Sequence, residues 1–188
     1  MRERILQISK EQGLSHIGSC LGAAQVLEEI YQIKRPEDIV IMDEGHAHLA
    51  HLVAEEKYNG KEIKLPLHDI HCNKEDGCYV STGSLGLGGA IALGIALADR
   101  EKDVYVLTSD GALAEGIWWE TLRVKVEQKA DNMKVYVNAN GYSGLGEVDV
   151  DWLEKRLHAF DPSVKVIRTV SDFGEVTGVA AHYQTWKE

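Results

Sequence analysis

The chain has 188 residues, 44% of them hydrophobic and only 3 of them proline, which is enough for one globular domain with a sizeable core. Its net charge of −10 argues against nucleic acid as the main partner, and no apolar run approaches the roughly 20 residues that span a membrane. The N-terminus, MRERILQISKEQG, is charged and helical in period with no signal-peptide apolar block, and three cysteines make no disulfide framework, so a reducing, cytoplasmic setting is expected.

Residues 3–12 read as a short amphipathic helix stopped by Gly13. In LSHIGSCLGAAQVLEEIYQIKRPED, Gly18 and Ser19 make a turn. Leu21, Ala24, Leu27, Ile30 and Tyr31 then recur at helical spacing as far as Ile33. DIVIMDEGHAHLAHLVAEEKY is a strand, a turn and a helix, on which His48 and His51 are surface or packing residues. Residues 59–80 are polar and irregular. His68, His71, Cys72 and Cys78 fall there, but Cys-x5-Cys with flanking histidines is not a standard zinc spacing. VSTGSLGLGGAIALGIALADREK opens with a glycine-rich turn and runs into an apolar helix, where Gly88, Gly89, Ala90, Gly94 and Ala98 permit close packing. Its glycines miss the G-x-G-x-x-G spacing, and no acidic ribose partner follows, which speaks against a Rossmann nucleotide loop.

The stretch from Asp103 to Leu145 is the most informative. DVYVLT and MKVYVN are β-branched apolar runs of the kind buried in parallel sheets, and a helix from about Glu115 to Ala130 joins them as a βαβ unit. Parallel neighbours bring their carboxyl ends side by side. Asp110 and Asn140, thirty residues apart, therefore face one spot at the sheet edge where open α/β sheets bind ligands. A carboxylate and an amide oxygen together suit a hard cation, Mg²⁺ first, with Ca²⁺ or Mn²⁺ as alternatives. Gly111 lets the backbone approach a diphosphate, and the helix N-terminus beyond favours negative charge. A plain βαβ unit with an Asp N-cap and an Asn-Gly turn is the competing reading. An amphipathic helix from Asp149 or Val150 and a further buried strand, Val164 to Val170, complete the expected fold. That fold is α/β, a mainly parallel sheet with helices on both faces.

Asp-Gly followed after about thirty residues by Asn is the thiamine-diphosphate signature, and DGALAEG…NANGY resembles transketolase. The resemblance implies that Asp110, Asn140 and the Tyr142 carbonyl hold the metal, with Ser109 where the family usually has Gly. It places His16, in a Ser-His-Ile-Gly-Ser version of the family's Gly-His-Pro-Gly-Ser turn, in the substrate channel. It sets His46 of Gly45-His46 near the diphosphate and the reacting carbons. His71 is the nearest match to a further channel histidine, with His68 as the alternative. In Thr-Gly-Ser-Leu-Gly, the Gly83 and Leu85 backbones contact the aminopyrimidine. Glu115 corresponds to a Glu that links cofactor sites across a subunit interface. The tail carries Lys187 where the family often has His, with His182 as a substitute.

The resemblance covers one of the family's three domains, a single diphosphate-binding domain over residues 1–188. It implies a second, transketolase-like C-terminal subunit carrying the pyrimidine domain, in a hetero-oligomer built on a dimer. The activity implied is transfer of a two-carbon ketol unit from a ketose to an aldose. The alternatives are deoxyxylulose-phosphate synthase, a non-catalytic binding or scaffold module, and the 2-oxo acid dehydrogenase E1 α subunit. Trp118 and Trp119, adjacent on one helix, cannot face the same core, so one is expected at an interface.

Overall fold

The computed structural model describes residues 1–183 and 185, residue 182 by its backbone alone. In chain order the elements are α1 (Arg2–Gln12), α2 (Ile17–Ile33), β1 (Ile39–Met42), α3 (His48–Asn59), α4 (Leu87–Ala98), β2 (Val104–Ser109), α5 (Gly116–Glu127) and β3 (Met133–Ala139). A small hairpin of β4 (Tyr142–Ser143) and β5 (Gly146–Glu147) follows, then α6 (Val150–Phe160), β6 (Lys165–Arg168) and α7 (Gly178–Tyr183). The main sheet runs β1-β2-β3-β6 and is parallel throughout. Among the described residues no helix is long and apolar enough to cross a membrane.

The period-2 direction of side chains along a strand explains why the central runs are apolar without interruption. Val40, Met42, Tyr105, Leu107 and Tyr136 enter the core packed under α1, α2 and α3. Ile39, Ile41, Val104, Val106, Val135 and Val137 enter the opposite core with Leu93, Trp118, Leu122, Leu153 and Leu157 of α4, α5 and α6. Both faces are covered, as a parallel sheet requires.

Three expectations change. Gly18 and Ser19 do not form a turn but lie in the first turn of α2, which begins at Ile17. Gly18 is in this position because a Cβ there would stand 2.6 Å from the Ala181 and Ser171 carbonyl oxygens. The final strand is shorter than Val164 to Val170 and is half-exposed rather than buried, because it forms the sheet edge and ends in Lys165 and Arg168. Of the small residues on α4, Gly88 and Gly89 do admit close neighbours, Asp43 at 2.6 Å and the Trp118 ring at 2.7 Å from an added Cβ, whereas Gly94 faces open space. Trp118 is wholly buried and Trp119 half-buried against Phe160, their ring centroids 5.4 Å apart. His48 and His51 are buried packing histidines.

Asp43, the residue after β1, is fully buried and ties this core together. It accepts hydrogen bonds from the Gly88 backbone N–H at the start of α4 (2.8 Å), the Thr108 hydroxyl on β2 (2.8 Å) and the Trp118 indole N–H on α5 (2.7 Å). Burial pushes its pKa up, and the three donors pull against that shift. Asp43→Ala would strand all three donors and is expected to cost roughly 3–5 kcal/mol in urea unfolding, whereas Trp118→Phe, which removes one donor, costs about 1 kcal/mol from the lost bond.

Candidate functional site

The carboxyl ends of β1, β2 and β3 open on one edge of the sheet, and there the following loops surround a cleft of about 160 Å³. Its lining includes His16, Glu44, His46, Leu85, Ser109, Gly111, Asn140, Tyr142, Val179 and Tyr183. Six of the residues singled out from sequence, His16, His46, Leu85, Gly111, Asn140 and Tyr142, thus meet at one place.

Asp110 lies beneath that lining and joins two loops. Its Oδ1 accepts from the Gly111 N–H at 3.0 Å and its Oδ2 from the Gly141 N–H at 2.6 Å, which links the end of β2 to the end of β3. Burial raises its pKa to about 6 despite these bonds. Ser109, in the position where a glycine was expected, accepts the Ala112 N–H on its hydroxyl at 3.1 Å and so closes the turn with its side chain. The loops approach closely enough that a Cβ on Gly111 would stand 3.3 Å from Ser143 and 3.7 Å from the Tyr142 carbonyl oxygen. Asn140 Oδ1 accepts from the Tyr142 N–H at 2.9 Å. The carboxylate, amide and carbonyl oxygens retain further lone pairs, a hard-oxygen donor set that fits a Mg²⁺-type ion.

His16 occupies a left-handed backbone conformation at φ 60, uncommon for a residue with a Cβ. This places its ring 5.3 Å from that of His46 and 5.5 Å from Tyr183, and its Nδ1 is 2.8 Å from the Ser15 hydroxyl. Burial, and secondarily the charge of His71, lower its pKa and so favour the neutral imidazole. His71 itself is outside the cleft lining, bonded to Asp69 at 3.0 Å and packed 3.7 Å from the Cβ position of Gly83, which is also outside. His68 pairs with Asp76 at 2.6 Å. Glu115 is exposed at the N-cap of α5, where its side chain lies 3.0 Å from the Cβ position of Gly86, and it does not line the cleft. Lys187 and the His182 side chain fall outside the described residues.

Sequence reasoning missed Glu44 and Tyr183. Tyr183 sits on α7, a helix of six residues with no legible periodicity. Glu44 did leave a signal: two consecutive acids between a buried strand and Gly45-His46 must lie at the sheet's ligand edge. Its side chain is 1% exposed, lines the cleft, and receives the Asn138 amide on both oxygens at 3.1 and 3.2 Å. Burial, with Asp110 and Asp43 nearby, raises its pKa well above the usual carboxylate range. Among the described residues, no lysine or arginine lines this cleft.

The chain is similar to known proteins. A family model described as 1-deoxy-D-xylulose-5-phosphate synthase matches residues 1–176. One subunit of the apulose-4-phosphate transketolase of Actinobacillus succinogenes is 29% identical over 178 residues, covering 79% of this chain and 64% of that protein. The transketolase of Pongo abelii is 27% identical over 218 residues, covering 98% of this chain and 34% of that one. The chain thus spans less than two thirds of the length of either relative. Among solved structures, transketolase from Campylobacter jejuni superposes with a TM-score of 0.59 at 22% identity, over 82% of this chain and 32% of that one, and shares the fold. Spanning nearly the whole chain, the family match shows that it belongs to the N-terminal domains of the 1-deoxy-D-xylulose-5-phosphate synthase family, which are transketolase-like thiamine-diphosphate domains.

Proposed function

We propose that this chain is the diphosphate-binding subunit of a transketolase-type enzyme, transferring a two-carbon ketol unit from a ketose to an aldose when paired with a second subunit. The observation that carries the reading is the meeting of Asp110, Gly111, Asn140 and Tyr142 at the ends of neighbouring strands β2 and β3, with Asp110 bonded to both loops. Asp110, Asn140 and the Tyr142 carbonyl would hold Mg²⁺, and the Gly111 backbone would face the diphosphate. When bound, thiamine diphosphate supplies an electron sink for making and breaking carbon–carbon bonds.

The chain's own groups then bind, orient and move protons. His16, whose neutral form burial favours, can accept or donate a proton at a substrate hydroxyl, and His46 stands 5.3 Å from it to share that work. Leu85 gives the cleft an apolar wall, while Gly83 and His71, packed against each other outside that lining, would serve the aminopyrimidine and the sugar. Glu115, exposed at the start of α5, is available to a neighbouring subunit. A partner is supported by size: ligand sites for molecules of this class occupy roughly 300–1,000 Å³, and a 160 Å³ cleft accommodates only part of such a cofactor. The Actinobacillus relative, itself one subunit of a transketolase, supports the same division. The description of the matching family favours a second reading, synthesis of 1-deoxy-D-xylulose 5-phosphate.

Calorimetric titration of thiamine diphosphate with Mg²⁺ should show binding only, or at least tenfold tighter, when the neighbouring gene product is present. Absence of binding in an assembly shown to form would sink the reading, and assaying ketol transfer beside deoxyxylulose-phosphate formation separates the two chemistries. Asp110→Ala should abolish the Mg²⁺-dependent binding.

Asp110 also predicts a pH dependence. Because its folded pKa is raised, the stability it contributes is present below about pH 4 and lost as pH rises through about 6. Between pH 4 and pH 7 the stability of the cofactor-free wild type, relative to Asp110→Asn, should fall by about 2–3 kcal/mol in urea unfolding. A flat difference curve would show that this carboxyl is not perturbed.

A further inference from the structure

We propose that Glu44 is a second carboxylate ligand for the divalent cation, so that the cleft holds the ion between Glu44 and Asp110 instead of through Asp110 alone among its acids. The inference rests on the reading of the cleft as a thiamine-diphosphate and Mg²⁺ site and adds a residue that the Asp-Gly…Asn motif does not contain.

Strand register supplies the first argument. β1 and β2 are adjacent and pair Met42 with Leu107. Glu44 is two residues beyond Met42 and Asp110 three beyond Leu107, so both leave neighbouring strands at the same edge. The second argument is how the side chain is held. Glu44 is 1% exposed yet lines the cleft, and the Asn138 amide donates to its carboxylate. Asn138 is itself fixed from the other side, its Oδ1 accepting the Thr169 hydroxyl at 2.5 Å. Helix α2 comes so close that a Cβ on Gly22 would stand 3.0 Å from that oxygen. Three elements therefore cooperate to hold one carboxyl at a residue that lines the cleft, and the Asn138 amide leaves it further lone pairs.

Charge balance is the third argument. Glu44 and Asp110 are buried carboxyls at the same sheet edge, and among the described residues no lysine or arginine lines the cleft to offset either. A buried carboxyl is normally paired with a cation or coordinated to a metal. Here the pairing has to come from the ligand, and a doubly charged ion with hard-oxygen preference satisfies both acids at once. A solely structural Glu44 would need only to accept from Asn138, which a glutamine does as well.

The test compares Glu44→Gln and Glu44→Asp with wild type in the assembly that binds thiamine diphosphate. Free Mn²⁺ is measured by electron paramagnetic resonance at saturating cofactor, alongside the melting temperature of the cofactor-free chain. The expected result is Mn²⁺ affinity at least tenfold weaker in Glu44→Gln with an unchanged or higher melting temperature. Glu44→Asp should bind Mn²⁺ more tightly than Glu44→Gln, although it is the poorer mimic of the Asn138 contact. Equal Mn²⁺ affinity in wild type and Glu44→Gln, or an order in which Gln exceeds Asp, would overturn the proposal while leaving the cofactor site intact. Failure of the wild-type assembly to bind Mn²⁺ with cofactor would instead remove the cofactor reading, and this inference with it.

Discussion

A buried carboxylate with three neutral donors is the constraint on which the rest of the architecture depends. Asp43 has no cation among these donors, so its place in the core is compensated by hydrogen bonds from three different elements. Those bonds fix the direction in which the chain leaves β1, the start of α4 after the glycine-rich turn, and the pitch of α5 against the sheet. The walls of the cleft are the loops attached to these same elements. A local polar interaction thereby sets the separation of His46, Leu85 and Gly111, residues far apart in the chain. Apolar packing alone would leave such separations adjustable, since hydrophobic contact is not directional.

Around that anchor the acids of the sheet edge are graded by their partners. Asp43 is saturated by side-chain and backbone donors and has a structural part. Asp110 takes two backbone N–H groups and staples two loops while keeping further lone pairs. Glu44 takes one amide and is the least satisfied of the three. All three have raised pKa values with burial as the leading cause, so the edge is an electrostatically unfavourable region of the fold. Proteins keep such regions where function needs them, and histidines, rather than lysines or arginines, share the cleft lining with Glu44.

Much of this is legible in the chain because the relevant signals are local. Uninterrupted runs such as Val104–Ser109 and Met133–Ala139 announce strands buried on both faces, and Asp-Gly and Asn-Gly at their ends announce the ligand edge. The outermost strand, β6, lies where its sequence puts it but is shorter and more exposed, because an apolar run does not reveal that its strand lacks a neighbour on one side. Gly18 and Ser19 mislead for a related reason. Those residues are small because other backbone passes close by, and propensity cannot separate that cause from a chain reversal. The acids Asp43 and Glu44 can be placed at the edge from sequence, but what each bonds to cannot, because their partners lie 45 to 94 residues away. Ser109 is the opposite case, an apparent departure whose hydroxyl bonds three residues ahead and restores the turn locally.

The left-handed backbone of His16 carries a consequence for how this chain would change under selection. A residue with a side chain in that conformation costs roughly 1–2 kcal/mol that glycine would not incur. Drift governed by robustness alone would therefore erode the imidazole at this position in favour of glycine. Its presence is a standing burden on the fold, and a lineage that no longer used the cleft would be expected to shed it early. Position 16 thus serves as a recorder: among descendants of this chain, the identity found there marks whether the pocket is still under purifying pressure.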